Sequence, residues 1–145
     1  MKIIAAIFLV AIGCSPLAAQ TEFIKPEGLA PTTSYSHVVV ATPGKMIFIS
    51  GRGGVAHDGK MPPDFNTQAK NTFEDLKRCL ALAGATFKDV VKINYYVTDL
   101  SHTNELRSIR AGYLDMEHPP AATLVQAGLG GGALVEIEAI AMLPQ

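Results

Sequence analysis

Between Asn66 and Ala83 the apolar residues fall at 69, 73, 76, 80 and 83, a four-three-four-three spacing that only one face of an α-helix produces. Gly84 follows, the residue best suited to the left-handed conformation that closes a helix. A few residues on, Val91, Ile93, Tyr95 and Val97 alternate with Val90, Lys92, Asn94 and Tyr96, the period of two expected of a half-buried strand. The chain must therefore place a long amphipathic helix against a sheet.

The remaining elements follow from punctuation. Val38-Val39-Val40 and Met46-Ile47-Phe48-Ile49 are short β-type runs joined through Pro43-Gly44, which predicts a first hairpin. Asp99 or Ser101 can cap a second helix, with apolar positions Leu106, Ile109, Tyr113 and Leu114, and Pro119-Pro120 stop it. Thr123 to Gln126 and Leu134 to Leu143 supply two more strands around a glycine loop. The predicted order is β-β-α-β-α-β-β, an α+β fold with one mixed sheet and both helices on one face. The uncovered face retains apolar residues, so burial between subunits is expected.

Length and composition allow one such domain, since 145 residues with 48% hydrophobic content suit a single core. Residues 1–19 read as a cleavable export signal: Lys2, then the apolar run Ile3 to Ile12, then the small-residue exit Ser15 to Ala19. That run is far short of the roughly 20 residues a membrane-spanning helix needs. Ala11-Ile12-Gly13-Cys14 also resembles a lipoprotein signal, and acylation at Cys14 is the alternative that would anchor the protein to a membrane. Residues 20–34, with Pro26, Gly28 and Pro31, read as an irregular lead-in, and 35–145 as the folded domain. Without Cys14 only Cys79 remains; its place in the helical pattern predicts a buried, inert thiol and no intramolecular disulfide.

Several chemistries can be set aside. The net charge of −1 gives no basic footprint for a nucleic-acid backbone. Gly51 to Ala56 and Gly128 to Ala133 fit a dinucleotide-type glycine string, but neither leads into the helix whose N-terminus would hold a phosphate. Both read better as loops of close backbone approach. His37, His57, His102 and His118 show no metal-ligand spacing, so no metal is expected. Ser50 has no identifiable base and reads as a structural hydroxyl rather than a nucleophile.

What remains is an ordered set of local strings: Tyr35-Ser36-His37, Ile49-Ser50-Gly51, Ala83-Gly84, Val90-Val91-Lys92, Pro120-Ala121 and Val135 to Ala141. Together they resemble the RidA family of reactive-intermediate deaminases, whose pattern runs G-P-Y-S-Q, I-S-G-Q, A-G, V-V-K, P-A-R and V-E-I-E-A-I-A. The resemblance implies a chorismate-mutase-like subunit assembled as a homotrimer, with cofactor-free clefts between subunits in which water adds to a small imine or enamine. Carried over by position, it implies that Tyr35 lines the cleft and that Glu136 positions the attacking water. On alternation alone, Glu136 and Glu138 could equally share a solvated face.

The departures from the pattern are informative. The arginine of P-A-R is replaced, since Ala121 and Ala122 stand where it would fall, and alanine cannot grip a carboxylate. Hydrolysis of 2-imino acids is therefore not expected. His37 replaces the family glutamine and could transfer protons, and Arg52 replaces that of I-S-G-Q; it could face a ligand or simply lie on the surface. The candidate substrate-binding set is Tyr35, His37, Ser50, Arg52, Ala121, Ala122 and Thr123, with Glu136 catalytic. The expected function is an exported hydrolase of small imines or related electrophiles, and the alternative is a non-catalytic trimer that binds small ligands.

Overall fold

The computed structural model describes residues 21–24, 26–30 and 32–144. The expected leader, with Cys14, lies outside the described residues. In chain order the elements are β1 (Thr21–Ile24), β2 (Val38–Ala41), β3 (Lys45–Gly53), α1 (Phe65–Leu82), β4 (Val90–Val97), α2 (Thr103–Arg110), β5 (Ala121–Gln126) and β6 (Val135–Leu143). Single 3-10 turns at Phe87–Asp89 and Leu100–His102 lead into β4 and α2.

Four strands form one mixed sheet in the order β3-β6-β4-β5, with only β4 and β5 parallel. Two expectations are corrected here. Residues 20–34 are not irregular throughout, because Thr21–Ile24 pairs antiparallel with β2, from Thr21 opposite Ala41 to Ile24 opposite Val38. Nor do β2 and β3 form a hairpin: Pro43-Gly44 turns the chain out of the small β1-β2 ribbon and into the main sheet, where β3 pairs with β6. Gly44 permits this entry because a Cβ there would lie 3.2 Å from the Leu143 carbonyl carbon at the end of β6.

The helix signals hold at both ends of α1. Asp64 accepts a hydrogen bond from the Thr67 N–H at 2.8 Å, and that amide holds its carboxyl below the usual range. Gly84 takes φ +80° just beyond the Ala83 cap. Ala69, Phe73, Leu76 and Leu80 are fully buried, and each of the three large ones contributes about 1.5–3 kcal/mol of transfer free energy. Asp99 caps the 3-10 turn ahead of α2 by accepting from the Ser101 N–H, and α2 itself has no side-chain cap.

Both helices lie on one face of the main sheet, over Ile47, Ile49, Ile93, Tyr95, Val97, Val135, Ile137 and Ala139. A register shift between Val90 and Lys92 reverses the expected phase at the start of β4, so Val90 is buried and Val91 only half-buried. Cys79 is also half-buried rather than buried, packing against the rim of this core. The opposite face has no covering element among the described residues; it carries Phe48, 70% exposed, with Met46 and Val125 also exposed.

Candidate functional site

Alternation along β6 turns Glu136 and Glu138 to the open face, but their surroundings separate them. Glu138 Oε1 accepts hydrogen bonds from Asn94 Nδ2 at 2.8 Å and Tyr96 Oη at 3.0 Å. Those donors, Asn94 first, hold the Glu138 carboxyl below the usual carboxylate range, while the bond to Glu138 pushes the Tyr96 phenol up. A carboxylate so well partnered is a weak base. Among the described residues, no hydrogen bond or ion pair engages the Glu136 carboxylate, which remains available to a ligand or to water.

What seats Glu136 is a bulge in β3. The register slips between Ile49 and Arg52, leaving Ser50 and Gly51 without ladder partners. The Glu136 side chain lies directly over Gly51, where a Cβ would come within 2.8 Å of its Cδ. This is the close backbone approach expected of that glycine string, made here to the chain's own carboxylate. Gly51→Ala is therefore expected to push the carboxylate off its seat at little cost in stability, because the group displaced is the end of a flexible side chain. Misplacement by about 1 Å costs up to about 10²-fold in rate. Parallel measurement of turnover and melting temperature checks this, and an unchanged rate would remove Gly51 from the site.

A second cluster forms at the edge strand β5. Ser36 is buried; its Oγ donates to the Pro119 carbonyl at 2.6 Å and its N–H to the Pro120 carbonyl at 3.2 Å. These bonds pin Tyr35-Ser36-His37 onto the Pro119-Pro120 segment just before Ala121. Tyr35 thereby joins Ala122 in lining a cavity of about 130 Å³ between β5 and α2, together with Tyr95, Arg107 and Arg110. His37 packs against Tyr35, ring centroids 5.5 Å apart, and does not line the cavity. Thr123 borders it, although its hydroxyl accepts from Lys92 Nζ at 2.9 Å. Ala121, opposite Lys92 in the ladder, is outside it.

The candidate set thus divides into two places. Ser50 and Glu136 belong to the open face, where Ser50 also borders a cavity of about 230 Å³ with Lys92, Asn94 and Glu138. Tyr35, Ala122 and Thr123 belong to the β5 edge. Glu136 pairs with Tyr96, which pairs with Val125, so two strand spacings, about 10 Å in all, separate it from β5. Arg52 joins neither place; it forms an ion pair with Asp75 on α1 at 3.6 Å, which fits the surface reading over the ligand-facing one.

Sequence reasoning missed Gly51 as the seat of Glu136, Ser36 as the anchor of Tyr35, and Arg110. Arg110 is 6% exposed with its Nε unpartnered, and its guanidinium carbon lies 5.7 Å from the centre of the Tyr95 ring. Burial pushes the Tyr95 phenol up to about 12, against the opposing influence of Arg110. The available signal was a cation four residues after Leu106, on the apolar stripe of α2. One further group, Asp115, Glu117 and His118, brings potential metal ligands within 4.8 Å of one another in an exposed turn. There the Asp115 carboxylate already accepts from the backbone amides of Glu117 and His118.

An α+β subunit with both helices on one face of a mixed sheet is the fold of the solved Rid-type proteins with which this chain aligns. The chain belongs to the RidA/YjgF family: residues 26–143 match the family model described as Endoribonuclease L-PSP. TdcF of Escherichia coli, which carries the provisional name of a reactive intermediate deaminase, is 33% identical over 104 residues, covering 68% of this chain and 80% of TdcF. DfrA of Myxococcus xanthus is 33% identical over 119 residues, 81% of this chain and 88% of that protein. Among solved structures, the Rid-family protein YyfB of Yersinia pestis aligns with a TM-score of 0.72 at 32% identity, over 85% of this chain and 98% of that one. TdcF, crystallised with bound serine, aligns with a TM-score of 0.63 at 32% identity, over 68% of this chain and 81% of that one.

Proposed function

We propose that this protein is a deaminase-type hydrolase of small imines or enamines, working in clefts that a homotrimer completes between subunits. The observation that carries the reading is the contrast on β6: Glu138 is held by Asn94 and Tyr96, while Glu136 lies unpartnered on Gly51. A free carboxylate at the sheet surface can take a proton from water as its oxygen adds to the imine carbon. The same carboxylate can return that proton to nitrogen. Collapse of the resulting carbinolamine releases ammonia and leaves a carbonyl compound, so that one imine and one water give one carbonyl and one ammonia.

Two considerations favour clefts between subunits. Within one chain, Glu136 and the Tyr35–Ala122 cavity lie on different strands and different faces. The open face also exposes Phe48 and Met46, the kind of apolar surface that association buries. The serine bound to TdcF supports a ligand of amino-acid size. The test is ammonia release from a panel of freshly generated imines: rates above the protein-free control support hydrolysis. Saturable binding without any acceleration would point instead to a ligand-binding trimer.

We further place the protein outside the cytoplasm on the strength of residues 1–19. Intact mass of the secreted form distinguishes a chain starting at Gln20 from one acylated at Cys14 and from an uncleaved one.

A further inference from the structure

We propose that the cavity between β5 and α2 binds a small carboxylate, and that Arg110 is the residue that holds it. The cavity is lined by two arginines, Arg107 and Arg110, and by no acidic residue. Arg107 is exposed, and its Nη1 donates to Asn104 at 3.3 Å. Arg110 is the unusual one. It is only 6% exposed, it has no ion pair among the described residues, the Tyr95 phenol is the polar group that it meets, and its Nε is shut away from solvent without a partner.

A guanidinium stays charged at any ordinary pH, so burying it without a counter-charge is costly, and the ring of Tyr95 at 5.7 Å offsets that only in part. The hydroxyl of Tyr95 is likewise buried without a partner. A guanidinium without a counter-charge, its Nε unpartnered, and the buried phenol beside it share the wall of one cavity, and such donors are complementary to a carboxylate, which accepts several hydrogen bonds. The rest of the wall, Leu106, Leu124 and the Tyr35 ring, suits a short apolar tail. In size, the cavity of about 130 Å³ compares with cavities of about 150 Å³ that take a molecule as large as benzene.

The cation therefore comes from α2, while the β5 position that would carry the family arginine is Ala122, whose small side chain leaves the room. For the substrate this deepens, and rests on, the hydrolase reading: the imine would carry a carboxylate after all, held from the helix side. The binding claim itself needs no turnover.

Titration of the purified protein with butanoate and with butanamide, which match in heavy-atom number and differ in charge, tests it by calorimetry or ligand-observed NMR. Butanoate should bind saturably and about tenfold or more tightly than the amide, since hydrogen bonds to a charged group are the stronger ones. Arg110→Met should abolish that preference. If this variant does not fold, Ala122→Leu fills the cavity from the opposite wall with Arg110 in place and should abolish butanoate binding. Equal affinity for the two ligands, or wild-type butanoate binding in either variant, would overturn the proposal. Butanoate binding is read without turnover, so butanoate binding that persists where no imine is hydrolysed sinks the hydrolase reading alone, and hydrolysis without a preference for butanoate sinks this one alone.

Discussion

Glu136→Gln is expected to lower imine hydrolysis by about 10²- to 10⁴-fold, the usual contribution of a positioned proton acceptor. Glutamine keeps the shape of the side chain over Gly51 and removes only the basicity, so melting temperature and assembly should stay close to wild type. Glu138→Gln should do the reverse. It removes the charge that Asn94 and Tyr96 hold, so the Tyr96 phenol, pushed up chiefly by its bond to Glu138, should titrate nearer its ordinary value.

Acid stability should respond as well. The folded-state pKa of Glu138 is lowered, so the unfolded chain binds its proton first as pH falls. Its contribution is full above the ordinary carboxylate range and is lost as pH drops through the lower folded value. Glu138→Gln should flatten that part of the stability curve and leave turnover nearly unchanged. Equal rate losses in the two variants, or a loss only in Glu138→Gln, would reverse the assignment of the two carboxylates.

Gln68→Leu is expected to destabilise the fold by about 3–5 kcal/mol, with a melting temperature about 10–20 °C lower. Gln68 is 1% exposed and uses its whole amide: Nε2 donates to the Pro62 carbonyl at 2.7 Å and the Gly132 carbonyl at 3.1 Å, and Oε1 accepts from the Leu134 N–H at 2.7 Å. The side chain thus fastens α1 to the loop before it and to the glycine loop that leads into β6. Leucine has a similar volume but leaves two carbonyls and an amide, all at least partly screened from solvent, without these partners. Close approach is built in from the other side, since a Cβ on Gly54 would overlap the Gln68 backbone. Thermal unfolding of the two proteins checks this; a drop of only a few degrees would mean that water replaces the amide.

These cases indicate what could be read from the chain alone. Local periodicity located α1 and β4, because one face of each is buried against the same core and the apolar spacing records it, while β5 and β6 were legible as strand-like runs on either side of a glycine loop. The β1-β2 ribbon was not legible: Thr21–Ile24 is four residues long and packs no repeated face, and its partner is set by pairing rather than by pattern. The hairpin reading failed for the same reason, since a turn signal shows that the chain bends and not which strand it meets. Of the site, the resemblance pointed to Glu136 and Tyr35, while alternation could not choose between Glu136 and Glu138. The hydrogen-bond partners of Glu138 sit on β4, more than forty residues away, and distinguish the two carboxylates only in three dimensions. Arg110 went unread because a charge within an apolar helical stripe looks like an ordinary boundary residue until its burial is seen.

The central claim is that hydrolysis needs Glu136 from one subunit and the Tyr35–Ala122 cavity from another, and subunit mixing tests it most directly. Glu136→Gln and Ala122→Leu proteins, each inactive alone in the ammonia assay, would be unfolded together and refolded so that their chains co-assemble. Mixed assemblies containing an intact Glu136 opposite an open cavity should regain a clear fraction of wild-type ammonia release. No recovery from a mixture shown by mass to contain mixed trimers would contradict the account, as would a stable monomer that is fully active.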